Sequence, residues 1–267
     1  LAHDVILYPS RNQLKKYSGG RDKLYPFMEL FNTVDMVKFV DDDFVGKVDV
    51  TYKYGHIENG TSAAVTGTVA STNNGICRLT TGTDDAGYAA IFPNTDGSLE
   101  GAVVAGTLSP VLWVRLKTSA ITTVKIEVGF TDSDADAGAA LVLATPTATA
   151  DNCAIWCFDT NDTGNATQWQ GFTVAAAGTP AKVEPTLAVA AATYEWLGVA
   201  IQGQNVKFMH MDANGNPNYE SAWQPAAITA ATALVPWVFA QTRAGSASRT
   251  IDIDYWLGYQ RRTADDQ

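Results

Sequence analysis

Asp132, Asp134 and Asp136 in TDSDADAG put carboxylates at alternate positions, as the opening of a calcium loop does. The pattern then breaks, because Gly138 falls one place late for the sharp turn and no glutamate closes the loop. A solvated hairpin tip is the expected state, with the three aspartates kept as a calcium candidate. Glycosidic-bond hydrolysis needs two carboxylates, and on a strand an E-x-D-x-x-E run brings them to one face. Glu29, Glu58, Glu100, Glu127, Glu184, Glu195 and Glu220 each stand alone, and none starts such a run. His3, His56 and His210 are scattered, outside metal-ligand spacing of a cysteine or of one another. His210, in VKFMHMD, shares a strand face with Val206 and Phe208 and reads as a satisfied sandwich histidine. Cys153 and Cys157 lie in CAIWCF, which reads as a strand, so their Cα atoms stand roughly 13 Å apart, beyond disulfide reach. With Cys77 they are expected as buried free thiols of a protein made in a reducing compartment. No Gly-x-Ser-x-Gly elbow, phosphate loop or dinucleotide fingerprint occurs, so neither catalysis nor a cofactor is expected.

The elements around these residues are strands. In LWVRLKTSAITTVKIEVGFTDS, Leu112, Val114 and Leu116 alternate with Trp113, Arg115 and Lys117. Val124, Ile126, Val128 and Phe130 likewise alternate with Lys125, Glu127 and Gly129, the period of strands buried on one face. Strands are expected at 44–54, 63–71, 76–81, 87–92, 98–105, 110–118, 121–131, 140–145, 153–158, 168–175, 192–203, 205–211, 235–243 and 249–260. Asn74-Gly75, Gln204-Asn205 and Asn214-Gly215 mark turns between them. So many short antiparallel strands, without a long amphipathic helix, imply a two-sheet jelly-roll sandwich. Trp113, Trp156, Trp169, Trp196, Trp237 and Trp256 could stack on sugars, but their positions within strands read more simply as core or interface aromatics. Asp252 and Asp254 project from one face of the last strand, toward solvent or across a subunit boundary.

The chain of 267 residues is expected to divide into an N-terminal arm and lead-in at 1–40 and a sandwich domain at 41–267. An apolar fraction of 46% excludes general disorder, and a formal charge of −10 argues against a nucleic-acid partner. No run is long and apolar enough for a membrane helix. The arm holds five of the eighteen basic residues, Arg11, Lys15, Lys16, Arg21 and Lys23. With Tyr17, Leu24, Tyr25 and Phe27 as apolar anchors, it is the part suited to dock on an acidic neighbour.

The ordered segments DDDFVGKV, GICRLTTGTDDAGYAAIF, LWVRLKTSAITTVKIEVGFTDS, CAIWCFDTN, ATYEWLGVAIQGQNVKFMHMDANG and LVPWVFAQTRAGSASRTIDIDYWLGYQ carry a resemblance over about residues 41 to 260. The chain resembles the concanavalin-like jelly-roll proteins of tailed bacteriophages that decorate or cement the head. That resemblance implies an all-β, two-sheet antiparallel concanavalin-like sandwich with an N-terminal arm and no enzymatic activity. It also implies binding to the phage major capsid protein at the virion surface after synthesis in the host bacterial cytoplasm, as a homo-oligomer, trimer or dimer. The same layout occurs in glycan-binding laminin-G-like and legume-lectin-like modules, so a carbohydrate-binding module is the alternative and a glycoside hydrolase stands behind it.

Overall fold

The computed structural model describes residues 36–42, 44, 54–67, 75–93, 105–133, 139–142 and 147–261. Alternation in the sequence becomes two antiparallel sheets packed face to face. One sheet runs β15 (Pro217–Glu220), β14 (Asn205–Met211), β13 (Glu195–Gln202), β6 (Val111–Thr118), β17 (Thr250–Arg261), β4 (Cys77–Thr81), β3 (Ala63–Thr66). Its eighth strand, β1 (Met36–Asp42), pairs with the C-terminal half of β17. The other sheet has seven strands in the order β12 (Ala181–Val183), β11 (Gln170–Val174), β10 (Cys153–Asp159), β7 (Val124–Thr131), β16 (Val235–Thr242), β5 (Tyr88–Phe92), β2 (Gly55–Asn59). A two-stranded ribbon, β8 (Leu141–Val142) with β9 (Thr147–Ala148), stands apart. The fold class is therefore the all-β two-sheet sandwich expected from the sequence. The expected boundary at residue 40 falls inside β1.

Between the sheets lies the core. Leu112, Val114 and Leu116 of β6 meet Val124, Ile126, Val128 and Phe130 of β7, all fully buried, with Trp156, Phe208 and Trp256 filling the span. Trp156 also ties the layers by a hydrogen bond, its indole N–H donating to the Gly198 carbonyl at 2.9 Å. The central strands approach closely because glycine allows it. A Cβ on Gly129 would sit 2.1 Å from the Ala154 carbonyl oxygen, and one on Gly198 would sit 2.7 Å from the Trp113 ring.

The structure departs from the expected strands in two ways. β2, β9, β12 and β15 form where no strand was expected, since GHIEN, TA, AKV and PNYE are too polar or too short to alternate visibly, and β1 forms at the end of the expected lead-in, ahead of the first expected strand. The stretches expected at 44–54 and 98–105 fall mostly outside the described residues. The second departure concerns β7, whose polar face should have met solvent. All eight of its residues are buried instead. Segments from both sides of the two-stranded ribbon, including Ala139, Ala140, Leu141 and Ala150, form one apolar cluster with Ile155, Trp237 and Phe239 on the outward side of the seven-stranded sheet.

Candidate functional site

The centre of that outward side is a closed electrostatic unit. Lys125 and Glu127 stand two residues apart on one face of β7, both fully buried, with Nζ 2.7 Å from Oε1. Glu127 accepts further hydrogen bonds from the Ala140 N–H at 2.9 Å, the Leu141 N–H at 3.0 Å and the Trp237 indole at 3.1 Å. Lys125 donates to the Leu141 carbonyl. A carboxylate desolvated this far persists only when paired and hydrogen-bonded, and here every contact is made within the chain. It offers nothing to a substrate.

The other residues singled out in the sequence are dispersed. Arg11, Lys15, Lys16, Tyr17, Arg21, Lys23, Leu24, Tyr25 and Phe27 lie outside the described residues, as do Asp134 and Asp136. Asp132 is described: its Oδ2 accepts from the Asn152 amide at 3.1 Å, and its Oδ1 is buried without a hydrogen-bond partner among the described residues. Asn152 in turn accepts the Ala176 and Thr229 N–H groups at 3.2 and 2.9 Å, a loop clamp. Among the described residues, no three His, Cys, Asp or Glu side chains converge as a metal site. His210 is buried and bonded to Glu195 at 2.9 Å. Cys77, Cys153 and Cys157 are buried and form no disulfide, and burial pushes the Cys153 and Cys157 thiols well above their ordinary range.

Asp252 and Asp254 find partners within the chain. Arg78 forks onto Asp252 at 2.6 and 2.9 Å, Lys117 approaches the same carboxylate at 3.5 Å, and Arg115 pairs with Asp254. All six tryptophans weighed as sugar platforms are buried, Trp196 at 3% exposure being the most accessible.

Two features at the surface, one half-buried and one exposed, were not visible in the sequence. Trp223 follows β15, and of the seven tryptophans it alone is not buried. Lys207 lies over its ring, with Nζ 4.9 Å from the centroid, and bridges to the exposed Glu220 at 2.6 Å. The indole is half-buried against the outward apolar cluster of the eight-stranded sheet, its N–H buried without a hydrogen-bond partner among the described residues, so what it offers is the accessible part of its ring beside a paired ammonium and carboxylate that can meet hydroxyl groups. The second feature is an open cleft of about 480 Å³ along β2, lined by His56, Ile57, Glu58, Asn59 and Tyr88. The signal for either was compositional only, a tryptophan outside any alternating run and a polar strand at a sheet edge. Among the described residues no helix is long and apolar enough to cross a membrane.

No protein-family model matches the chain, and no curated protein matches it by sequence. Solved structures match its fold. A protein of unknown function from Shewanella oneidensis MR-1 is similar at 14% identity and a TM-score of 0.57, over 93% of this chain and 98% of that one. Peanut lectin is similar at 10% identity and a TM-score of 0.56, over 87% and 99%. The CBM2 module of the evolved Dit protein of Lactobacillus casei BL23 phage J-1 is similar at 10% identity and a TM-score of 0.52, also over 87% and 99%. The chain has the concanavalin-like lectin and glucanase fold.

Proposed function

We propose that this chain is a non-catalytic recognition module and that carbohydrate is its ligand class. Trp223 carries the assignment, as the one tryptophan left unburied, with the Lys207–Glu220 pair beside it. The likeness to a lectin and to a module of a phage Dit protein supports the same class. Against hydrolysis stands Glu127, the carboxylate of the central strand, sealed within the chain and bonded to Lys125, Trp237 and backbone. The test is a panel of bacterial and plant oligosaccharides titrated against the protein. Trp223→Ala is expected to weaken the best binder about tenfold, the equivalent of about 1.4 kcal/mol. Binding unchanged by that substitution removes the site, and no binding across the panel removes the ligand class. Release of reducing sugar that one glutamate replacement abolishes overturns the non-catalytic half.

A second reading, decoration of a phage head, is favoured by the ordered run of segments between residues 41 and 260 that resembles head-decoration proteins. In it the protein binds the assembled shell and not its free subunits, stabilising the shell by mass action. The basic residues of the arm guide the approach to an acidic surface. Co-sedimentation with undecorated particles tests it, the expected result being capture of the whole chain and weak or no capture once residues 1–25 are deleted. Undiminished capture of the deletion variant refutes the arm's role.

A further inference from the structure

Sheet edges present unpaired backbone groups, and proteins guard them with short strands, lysine, proline or bulges. Three described edges follow that rule. β12 has three residues, carries Lys182 and is flanked by Pro180 and Pro185. β15 begins at Pro217, and β3 has only four residues. Among the described residues β2 is the outer strand of its sheet; it carries no proline, lysine or bulge, Glu58 being its one charged residue, and its register with β5 runs unbroken from Gly55↔Phe92 to Asn59↔Tyr88. His56, Glu58 and Asn59 are exposed, and the cleft of about 480 Å³ opens along them.

We infer that the occupant of this edge is β2 of a second copy, paired antiparallel about a two-fold axis at Ile57. The strand is self-complementary in that register. Ile57 meets its own copy, Gly55 meets Asn59, and His56 meets Glu58 twice across the axis. Sliding the pair by one step in the strand's two-residue period sets His56 against His56 or Glu58 against Glu58, so only the central register opposes unlike groups. Glu58 is available for this role because only its Oε1 is engaged, accepting the Val65 N–H at 2.6 Å. The strand is held ready at its C-terminal end, where Asp84 Oδ2 accepts the Thr61 N–H at 2.7 Å and the Gly60 carbonyl accepts the Ala63 N–H at 3.1 Å. Pairing of like strands closes at two copies and joins the two seven-stranded sheets into one of fourteen strands. The inference goes beyond the carbohydrate assignment, which places the ligand at Trp223, and does not depend on it.

The experiment is molar mass by light scattering across a concentration series of the full chain, with circular dichroism to verify folding. The wild-type chain is expected to be a dimer. His56→Glu sets a carboxylate against Glu58 of the other copy and yields a folded monomer, as does Glu58→Lys. The double variant His56→Glu with Glu58→Lys re-pairs unlike charges and restores the dimer. A monomeric wild type at every concentration overturns the inference, and so does a folded His56→Glu chain that keeps its dimeric mass. Loss of oligosaccharide binding in His56→Glu with mass unchanged also overturns it, by giving the cleft to carbohydrate. Glycan binding that fails in Trp223→Ala while the dimer persists bears only on the carbohydrate assignment.

Discussion

Strands β7 and β2 carry the same local pattern with opposite outcomes. Each places a basic side chain and a glutamate two residues apart on one face, Lys125 and Glu127 in the first, His56 and Glu58 in the second. In β7 both groups are fully buried and bonded to each other, to the Ala140–Leu141 backbone and to Trp237. In β2 both residues are exposed, and the imidazole has no hydrogen-bond partner among the described residues. The difference lies in position within the sheet. β7 pairs on both sides, with β10 and β16, and an outer segment covers it, so its polar groups must be satisfied internally. Among the described residues β2 pairs only with β5, and apart from the Val65 N–H that Glu58 Oε1 accepts, its polar side chains face the surface. The pair at the centre of the sheet is thus structural, and the pair on the outer strand is left accessible at the surface.

The largest effect that tests this contrast comes from removing the cation of each pair in turn. Lys125→Met leaves Glu127 charged, buried and short of its counter-ion, a defect that costs roughly 3–5 kcal/mol. His56→Met touches no internal bond and is expected to change the stability of the dilute chain by less than about 0.5 kcal/mol. Urea unfolding of the two variants checks the comparison. Equal losses, or a Lys125→Met chain as stable as wild type, would show that the β7 pair is not the closed unit its geometry describes.

How far the sequence reached depended on whether alternation was visible. β6 and β7 were legible because apolar residues recur at every second place, and their inward residues are those expected; in β17 a bulge between Ile253 and Tyr255 turns Tyr255 to the outward side, away from the face of Ile251 and Ile253. β2 and β15 were not legible, because edge strands face solvent on more than one side and need no apolar period; GHIEN holds a single isoleucine. The burial of Lys125 and Glu127 was also hidden, since nothing local announces that residues more than ten positions downstream will cover them. The same holds for Trp223, which is half-buried where the other six tryptophans are buried. His210 is buried on the face that Val206 and Phe208 made readable, but it is only half satisfied: Nε2 meets Glu195 of a neighbouring strand at 2.9 Å, while Nδ1 has no hydrogen-bond partner among the described residues. The calcium candidate rested on spacing alone, and Asp132 meets the amide of Asn152.

Between the sealed pair of β7 and the open pair of β2 lies a third arrangement, partly exposed, which sharpens the comparison through pH. On the outward side of the eight-stranded sheet, Arg78 and Lys117 share Asp252 while Arg115 holds Asp254. The ring of Tyr194 lies beneath two of these cations, 4.3 Å from the Arg115 guanidinium carbon and 4.8 Å from Lys117 Nζ. Burial, followed by the nearby Asp254 and Asp252, outweighs those cations and pushes the Tyr194 hydroxyl from its ordinary value of 10 up to about 12. A group that holds its proton more tightly when folded contributes stability that is fully present below the unfolded value and is lost as pH rises through the folded one. The protein is therefore expected to lose a small increment of stability between about pH 10 and 12, and Tyr194→Phe should flatten that part of the profile while leaving neutral pH nearly unchanged. Because Tyr194 is only partly buried, solvent screens the interaction and the increment is the smallest of the effects considered. Phenolate absorbance followed during an alkaline titration, with thermal melts at each pH, reads both quantities. A Tyr194 that ionises with the exposed tyrosines, or a Tyr194→Phe profile identical to wild type, would place this ladder with the open edge instead of between the two extremes.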